Sequence, residues 1–462
     1  PLIQEKRAAI KQHLKTCSWC TALYKEMKTY YEQVDHLQRE QAQRASRALT
    51  VTQRALRERE VGFGVPQPVQ RTLPQRFVES VRRYPVRWSL GFTAFVVVLV
   101  LVIPRLWTGD RNPAYARPEK EFLVAYNRQG EELWRKYIFK YFVPESMPEW
   151  ITHHEDRGVL VRDVDHDGKN EVIGIFGWTY SPYMDPDNPY QNVVVCFEPD
   201  GSERWRYELH RTVTIGGVRY SDDYGFYQIV YEGYADGNAD VFAFASHRPW
   251  FPNVLVRLDA RTGALKSEYW HNGMLPYYAQ KDLDGDGIED LLLGGQNNRL
   301  MQASLAVFDP RKVEGHGPAP SGLAPVGVAA GTEKYYLLFP GSDLKKYWTD
   351  VTNEVSGVKI MEDGLIQVIV TERVPYPMKM EGWAPDAGTL YFYFDSSMRC
   401  VRVRASDAFS GLHRQYRDRG LVKSELNDAY FENLRRGIRY WDGEKLVKEP
   451  VMNKRYLQTA MR

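Results

Sequence analysis

The sequence has 462 residues and a formal net charge of +2, with 43% apolar and 13% aromatic residues. This composition excludes a disordered or fibrous chain, and a mean hydropathy of −0.49 excludes a polytopic membrane protein but not a single span. The charge is unevenly divided, because residues 1–87 carry 17 basic and 8 acidic side chains whereas residues 88–462 carry 44 and 51. We therefore expect two electrostatically different parts.

Residues 1–60 are predicted to form a helical module. No Pro or Gly occurs between Leu2 and Val61, so nothing in this stretch breaks a helix. It contains the motif His13-x3-Cys17-x2-Cys20. Two thiolates two residues apart, with a histidine one helical turn earlier, suit a tetrahedral Zn²⁺ site. A dithiol redox pair and incidental thiols on a helix remain the alternatives at this point.

The H-x3-C-x2-C motif on a helix, followed by a long helix and one span, resembles the zinc-containing anti-sigma family of bacterial membrane regulators. The resemblance covers about the first 60 residues. It implies that His13, Cys17 and Cys20 bind zinc and that the module binds a cytoplasmic protein, namely a sigma factor.

A single membrane span is predicted at residues 88–107. The stretch between Trp88 and Pro104 has no charged residue, and Trp88 and Trp107 stand where interfacial aromatics belong. Residues 61–87 are expected to form a Pro-containing linker and a short basic juxtamembrane helix. The excess of arginine before the span predicts that the N-terminus lies on the cytoplasmic side of the membrane and the C-terminal domain on the other side. The resemblance implies that this membrane is a bacterial cytoplasmic membrane, with the C-terminal domain in the periplasm or outside the cell.

Residues 115–462 are predicted to be mainly β and to form a β-propeller of about six blades. Three segments (122–134, 193–205 and 254–266) share a strand–turn–strand pattern, and Gly130 and Gly201 each precede a tryptophan by four residues. This repeat resembles the blades of quinoprotein-like β-propellers. The last hairpin, around Asp442-Gly443, has a similar pattern, so we expect it to pair with residues 122–134 and close the ring.

Three acidic turns, beginning at residues 163, 232 and 282, predict metal sites. In the turns that begin at residues 163 and 282, carboxylates stand at positions 1, 3, 5 and 9 with glycine at position 6, which is a pattern of oxygen ligands suited to Ca²⁺. The copies resemble the calcium loops of FG-GAP or integrin-type propeller repeats. The candidate ligands are Asp163, Asp165, Asp167 and Glu171; Asp282, Asp284, Asp286 and Asp290; and, in a decayed copy, Glu232, Asp236 and Asp240.

No motif for nucleophilic, phosphate-binding or metalloprotease catalysis occurs in the sequence, so we expect a protein that is not an enzyme. The His/acid cluster at residues 153–156 is interpreted as a loop. Cys196 and Cys400 lie in strand patterns and are either bridged or buried as free thiols.

The sequence as a whole predicts a non-enzymatic single-pass protein that couples the zinc-binding inner module to an outer calcium-binding propeller. That propeller would bind a protein or glycan, and no direct nucleic-acid binding is expected. Two alternatives stay open, namely a structural or accessory subunit of a larger membrane complex and a surface adhesion or glycan-binding propeller.

Overall fold

The structure, a computed structural model, describes most of the chain after residue 109. The described residues are 110–119, 121–138, 158–176, 190, 192–247, 251–347, 352–372 and 388–459. The predicted zinc module, linker and span at residues 1–107 lie outside them. Within the described part, no helix is both long enough and apolar enough to cross a bilayer.

The described chain folds into five mainly antiparallel sheets that follow one another in sequence, together with one separate hairpin. In each of the five, the strands that are neighbours in the sheet are mostly neighbours along the chain, which is the up-and-down order of a propeller blade. The prediction of a mainly β, propeller-like fold is therefore confirmed at that level, with five sheets described where about six blades are predicted.

The strands of the first two sheets and of the separate hairpin have these bounds. The first sheet contains β1 (Tyr115–Glu119), β2 (Phe122–Tyr126) and β3 (Glu132–Tyr137). The second contains β4 (Val159–Arg162), β5 (Glu171–Phe176), β6 (Val193–Phe197) and β7 (Glu203–Glu208). The hairpin is formed by β8 (Val213–Ile215) and β9 (Val218–Tyr220).

The third, fourth and fifth sheets are larger. The third contains β10 (Tyr224–Gly233), β11 (Ala239–His247), β12 (Asn253–Asp259), β13 (Leu265–His271) and the short parallel strand β17 (Gly315–His316). The fourth contains β14 (Tyr277–Lys281), β15 (Asp290–Asn297), β16 (Gln302–Phe308), β18 (Tyr335–Leu338), β23 (Arg439–Trp441) and β24 (Leu446–Val447). The fifth contains β19 (Asn353–Ile360), β20 (Ile366–Glu372), β21 (Thr389–Phe394) and β22 (Cys400–Ala405).

Three helices follow the fifth sheet. They are α1 (Asp407–Asp418), α2 (Asp428–Gly437) and α3 (Lys454–Thr459). The side chain of Ser406 caps α1 by accepting the N–H of Phe409, and Asn427 caps α2 in the same way through Tyr430. Both caps satisfy backbone donors that a helix start leaves unpaired.

The core consists of four buried clusters, and each lies between two consecutive sheets. The first and second sheets share Leu123 and Phe197, and the second and third share Ile173 and Val256. Equivalent clusters join the third sheet to the fourth and the fourth to the fifth, the last one including α1 and α2. Central strands such as β6 and β15 are buried on both faces, which explains why they are almost continuously apolar in the sequence.

A tryptophan of one sheet packs on the turn of the next sheet. The indole Nε1 of Trp134 in β3 donates to the carbonyl of Pro199 at 3.1 Å, and Trp205 in β7 donates to Ala260 at 3.0 Å. A Cβ on Gly201 would lie 2.9 Å from the Trp134 ring, so glycine is required for this close approach as well as for its φ of +82°. This contact explains why the Gly–Trp spacing recurs.

The predicted ring closure by the last hairpin is wrong. The hairpin β23–β24 pairs with β18 of the fourth sheet, where Tyr440 lies opposite Leu337, and not with the first sheet. The reason is apolar burial, because Tyr440 is 3% exposed and packs in the core that the fourth and fifth sheets share. The first sheet has three strands, β1 to β3.

Candidate metal-binding turns

The three acidic turns occupy equivalent places in three consecutive sheets. Residues 163–171 join β4 to β5, residues 232–240 join β10 to β11, and residues 282–290 join β14 to β15. We call residues 163–171 the first acidic turn, residues 282–290 the second acidic turn and residues 232–240 the third acidic turn. Each connects the first two strands of its sheet, and His166 of the first turn lies 2.7 Å from the Gly237 carbonyl of the third. The third turn also contacts β14, since Gln280 donates to Glu232 at 2.5 Å.

Three of the four predicted ligands converge in the first turn and in the second. One carboxylate oxygen each from Asp163, Asp165 and Asp167 lies within 4.8 Å of the other two, and the same holds for Asp282, Asp284 and Asp286. Glu171 and Asp290, the ninth residues, do not belong to these groups.

The backbone of the two turns is the same at the positions that aim the carboxylates. Positions 4 and 6 are left-handed in both, with φ of +62° at His166, +87° at Gly168, +78° at Gly285 and +82° at Gly287. The N–H of the sixth residue donates to the first aspartate in each turn, at 3.0 Å for Gly168 and 2.9 Å for Gly287. Glycine at position 6 therefore lets the chain fold back over the first carboxylate.

The ninth carboxylate closes each turn from inside the sheet. Glu171 accepts the N–H of Val164 at 2.9 Å, and Asp290 accepts the N–H of Leu283 at 3.2 Å. Both are buried. Burial raises the pKa of Glu171 to about 7 and that of Asp290 to about 6, although the Lys334 ammonium opposes the second shift.

A basic side chain from a later segment of the same sheet neutralises part of each turn. Arg204 in β7 donates to Asp165 at 2.5 Å and lies 3.4 Å from Glu171. The ammonium of Lys334, next to β18, bridges Asp284 at 2.7 Å and Asp290 at 2.9 Å. Sequence reasoning missed both residues, because neither stands at a fixed spacing from the acidic motif.

The first turn fits a hard cation better than the second. Asp163 Oδ1 is buried and accepts no hydrogen bond from any described residue. A carboxylate oxygen in that position is costly unless a cation or water satisfies it. The second turn is more fully compensated, because Arg311 donates to Asp286 at 2.6 Å while Lys334 holds Asp284. Asp163, Asp165 and Asp167 are therefore the residues that would hold Ca²⁺, through oxygen atoms alone.

The third turn does not bring its three predicted ligands together. Asp240 is fully buried and accepts from Tyr234 at 2.7 Å, Arg257 at 2.6 Å and Lys266 at 2.6 Å. Asp236 is exposed and bonds to Asn238. Glu232 is buried, which raises its pKa to about 7. Two basic side chains at Asp240 thus stand where a cation would be needed.

A Ser, a His and an Asp also meet beside α1, but their geometry differs from that of a nucleophilic triad. His413 Nε2 lies 3.1 Å from Ser424 Oγ and 3.3 Å from Asp343 Oδ2, so both partners share one ring nitrogen. Ser424 itself donates to Asp343, and Tyr430 does so at 2.8 Å. A triad needs the carboxylate on the other nitrogen. This cluster instead anchors α1 and α2 to the loop before β19.

The remaining predicted residues divide into two groups. Cys196 and Cys400 are buried free thiols, so the alternative of a disulfide between them is excluded. The zinc candidates His13, Cys17 and Cys20, and the His/acid cluster at 153–156, lie outside the described residues.

Comparisons with known proteins give only distant similarity. No protein-family profile matches the sequence, and no curated protein matches it either. Among solved structures, the Dos1 propeller matches with a TM-score of 0.29 at 9% identity, covering 62% of this chain and 54% of that one. The C-terminal domain of Pseudomonas aeruginosa PilY1 matches with a TM-score of 0.34 at 12% identity, covering 61% and 57%.

A third solved structure, rhamnogalacturonan lyase PL11 of Bacillus licheniformis, has a TM-score of 0.30 at 13% identity and covers 75% of this chain and 52% of that one. The chain thus spans a little over half the length of each of these proteins. At these TM-scores the overlap carries no information about activity.

Proposed function

We propose that this chain is a non-enzymatic single-pass membrane protein in which a calcium-binding, propeller-like outer domain binds a ligand or partner. The single observation that supports this best is the first acidic turn. Three carboxylates converge there, and one buried oxygen of Asp163 accepts no hydrogen bond from the described part of the chain. A cation bound at this point would neutralise them and tie β4 to β5.

The first turn is hydrogen-bonded to the segment with which the described chain begins. Asn112 Oδ1 accepts the N–H of Asn170 at 2.6 Å, and its amide group donates to the Gly168 carbonyl at 3.3 Å. Asn170 in turn donates to the Pro113 carbonyl at 2.7 Å. Residues 112 and 113, which follow the predicted span at 88–107 in the sequence, are therefore bonded to the turn that would bind calcium.

The calcium part of the proposal is tested by thermal unfolding of the full chain with calcium and with chelator. We expect calcium to raise the melting temperature, because it relieves repulsion among the three carboxylates. Asp163→Asn should abolish most of that shift. Asp200→Asn is the matched control, since Asp200 is an exposed turn aspartate whose carboxylate accepts hydrogen bonds from Ser202, two residues further along the chain. An equal calcium-dependent change in melting temperature in the wild type, Asp163→Asn and Asp200→Asn would contradict the assignment of calcium to the first acidic turn.

The inner part of the proposal concerns residues 1–60. By resemblance, His13, Cys17 and Cys20 would hold one zinc ion, and the module would dock a cytoplasmic protein of the sigma-factor type. Metal analysis of the purified full chain should find about one zinc per chain, lost in Cys17→Ser. His210→Ala serves as the control, because the His210 side chain is 71% exposed in the outer domain. Zinc-free wild-type protein would contradict this half alone.

A further inference from the structure

A groove lies between the second and third acidic turns, where the third and fourth sheets meet. Its volume of about 470 Å³ falls within the usual range of small-molecule sites. The lining comes from the third turn, from β12 and β13, from the second turn and from the segment after β16. The lining residues are Tyr234, Ala235, Asp236, Asn238, Arg257, Lys266, Ile288 and Arg311.

The charges around the groove are nearly balanced, with a slight excess of acid. Each lining cation has a carboxylate partner: Arg257 and Lys266 share the buried Asp240 at 2.6 Å, and Arg311 lies 2.8 Å from Asp309. When the side chains that form ion pairs with the lining residues and with their partners are included, five carboxylates stand against four basic groups. These are Asp236, Asp240, Asp259, Asp286 and Asp309 against Arg257, Lys266, Arg311 and Lys312. This balance gives an anion no net attraction.

The lining is also unsuited to a purely hydrocarbon ligand, because six of its eight residues carry polar or charged side chains, although about half of the surface they expose is apolar. Fixed donors stand beside exposed acceptors. The ion pair with Asp240 orients the Arg257 guanidinium, which also donates to the Arg311 carbonyl at 2.5 Å. On the rim, the Asp236 carboxylate and the Asn238 amide are exposed and bonded to each other at 2.8 Å. Donor and acceptor groups side by side match pairs of neighbouring hydroxyl groups, and the Tyr234 ring adds an apolar surface.

We propose that this groove is a binding site for a neutral carbohydrate. This rests on the function proposed above, because it supplies a ligand class and a location for the outer binding domain. The ion pairs hold the groups that contact the ligand in place before it arrives, which lowers the entropic cost of binding.

Saturation-transfer NMR on the full chain tests the site. The probes are three neutral disaccharides (cellobiose, maltose and lactose), with glucuronate as the anionic sugar and tetraalanine as the peptide, all in calcium. We expect saturation of at least one neutral disaccharide and of neither control probe. Asp236→Ala should weaken that binding about tenfold, since it removes a charged acceptor from the rim. Asp200→Ala, an exposed turn aspartate of the second sheet, should leave it unchanged.

Three results would overturn the assignment. They are no saturation of any neutral disaccharide, binding of glucuronate or tetraalanine in preference to them, and an Asp236→Ala variant that binds as tightly as the wild type. The calcium-dependent melting shift is measured on the same samples. If calcium still raises the melting temperature but no sugar binds, the carbohydrate site is rejected and the calcium-binding function is retained. If calcium does not raise the melting temperature, the proposed function of the outer domain is itself rejected.

Discussion

Replacing Lys334 with methionine tests the charge balance of the second acidic turn. The Lys334 side chain is 2% exposed, and its ammonium lies 2.7 Å from Asp284 and 2.9 Å from Asp290. Burial raises the pKa of Asp290 to about 6 even with this ammonium beside it. Methionine keeps the length of the side chain but removes the charge. The variant therefore leaves the Asp290 carboxylate buried without the ammonium that is paired with it in the wild type.

The expected loss follows from the burial of the two carboxylates. Removing one partner of a buried ion pair costs about 3–5 kcal/mol, whereas the contact to the more exposed Asp284 adds less than about 1 kcal/mol. We therefore expect the free energy of unfolding to fall by about 3 kcal/mol near neutral pH in chelator. The deficit should shrink as the pH falls toward about 5, because a carboxyl whose folded pKa lies above its unfolded value favours the folded state once it is protonated.

The assay is urea unfolding followed by tryptophan fluorescence, with and without calcium. Lys312→Met is the matched control, since Lys312 lies 3.6 Å from Asp309 and that carboxylate keeps Arg311 as a partner. Calcium should stabilise Lys334→Met more than the wild type, because no ammonium competes for Asp284. Equal unfolding free energies for Lys334→Met and the wild type, or a deficit that does not change with pH, would refute the counter-ion role.

Two further predictions concern the first two sheets. Gly201→Ala should destabilise the domain by about 2 kcal/mol in urea unfolding, because a Cβ there would strike Trp134; Gly217→Ala has a similar φ of +78° but open space around it, so it reports strain alone and should cost less. Equal losses would argue against the tryptophan contact. Burial raises the pKa of Glu171 to about 7, so its contribution favours the folded state at low pH and is lost as the pH rises from about 4.5 through 7. Glu171→Gln should remove that slope from a stability–pH profile in chelator, and an unchanged slope would assign it to another group.

Several local features were predictable because they depend on local residue patterns. Apolar runs bounded by turn residues are enough to predict later strands such as β20 (Ile366–Glu372) and β22 (Cys400–Ala405). Strand β19 has no such run, because polar residues interrupt its pattern, as in Ser356-Gly357. Helix α1 has an apolar stripe at helical spacing, formed by Phe409, Leu412 and Tyr416, and these side chains pack in the core beside the fifth sheet.

The acidic turns show the boundary between sequence and tertiary structure most clearly. Spacing alone predicted that Asp163, Asp165 and Asp167 converge, because alternate positions in a tight turn point to one side and Gly168 permits the left-handed backbone. It could not show that Glu171 turns inward to the Val164 amide.

By itself, the sequence determined the class of fold, the Gly–Trp spacing of the repeat and the three acidic turns, since each depends on residues close together along the chain. Tertiary structure decided which carboxylates keep a free oxygen, because the neutralising cations come from afar: Arg204 lies 39 residues beyond Asp165, and Lys334 lies 50 beyond Asp284. It also decided that the last hairpin completes the fourth sheet, because strand pairing follows the burial of Tyr440 and not the similarity of two hairpin patterns.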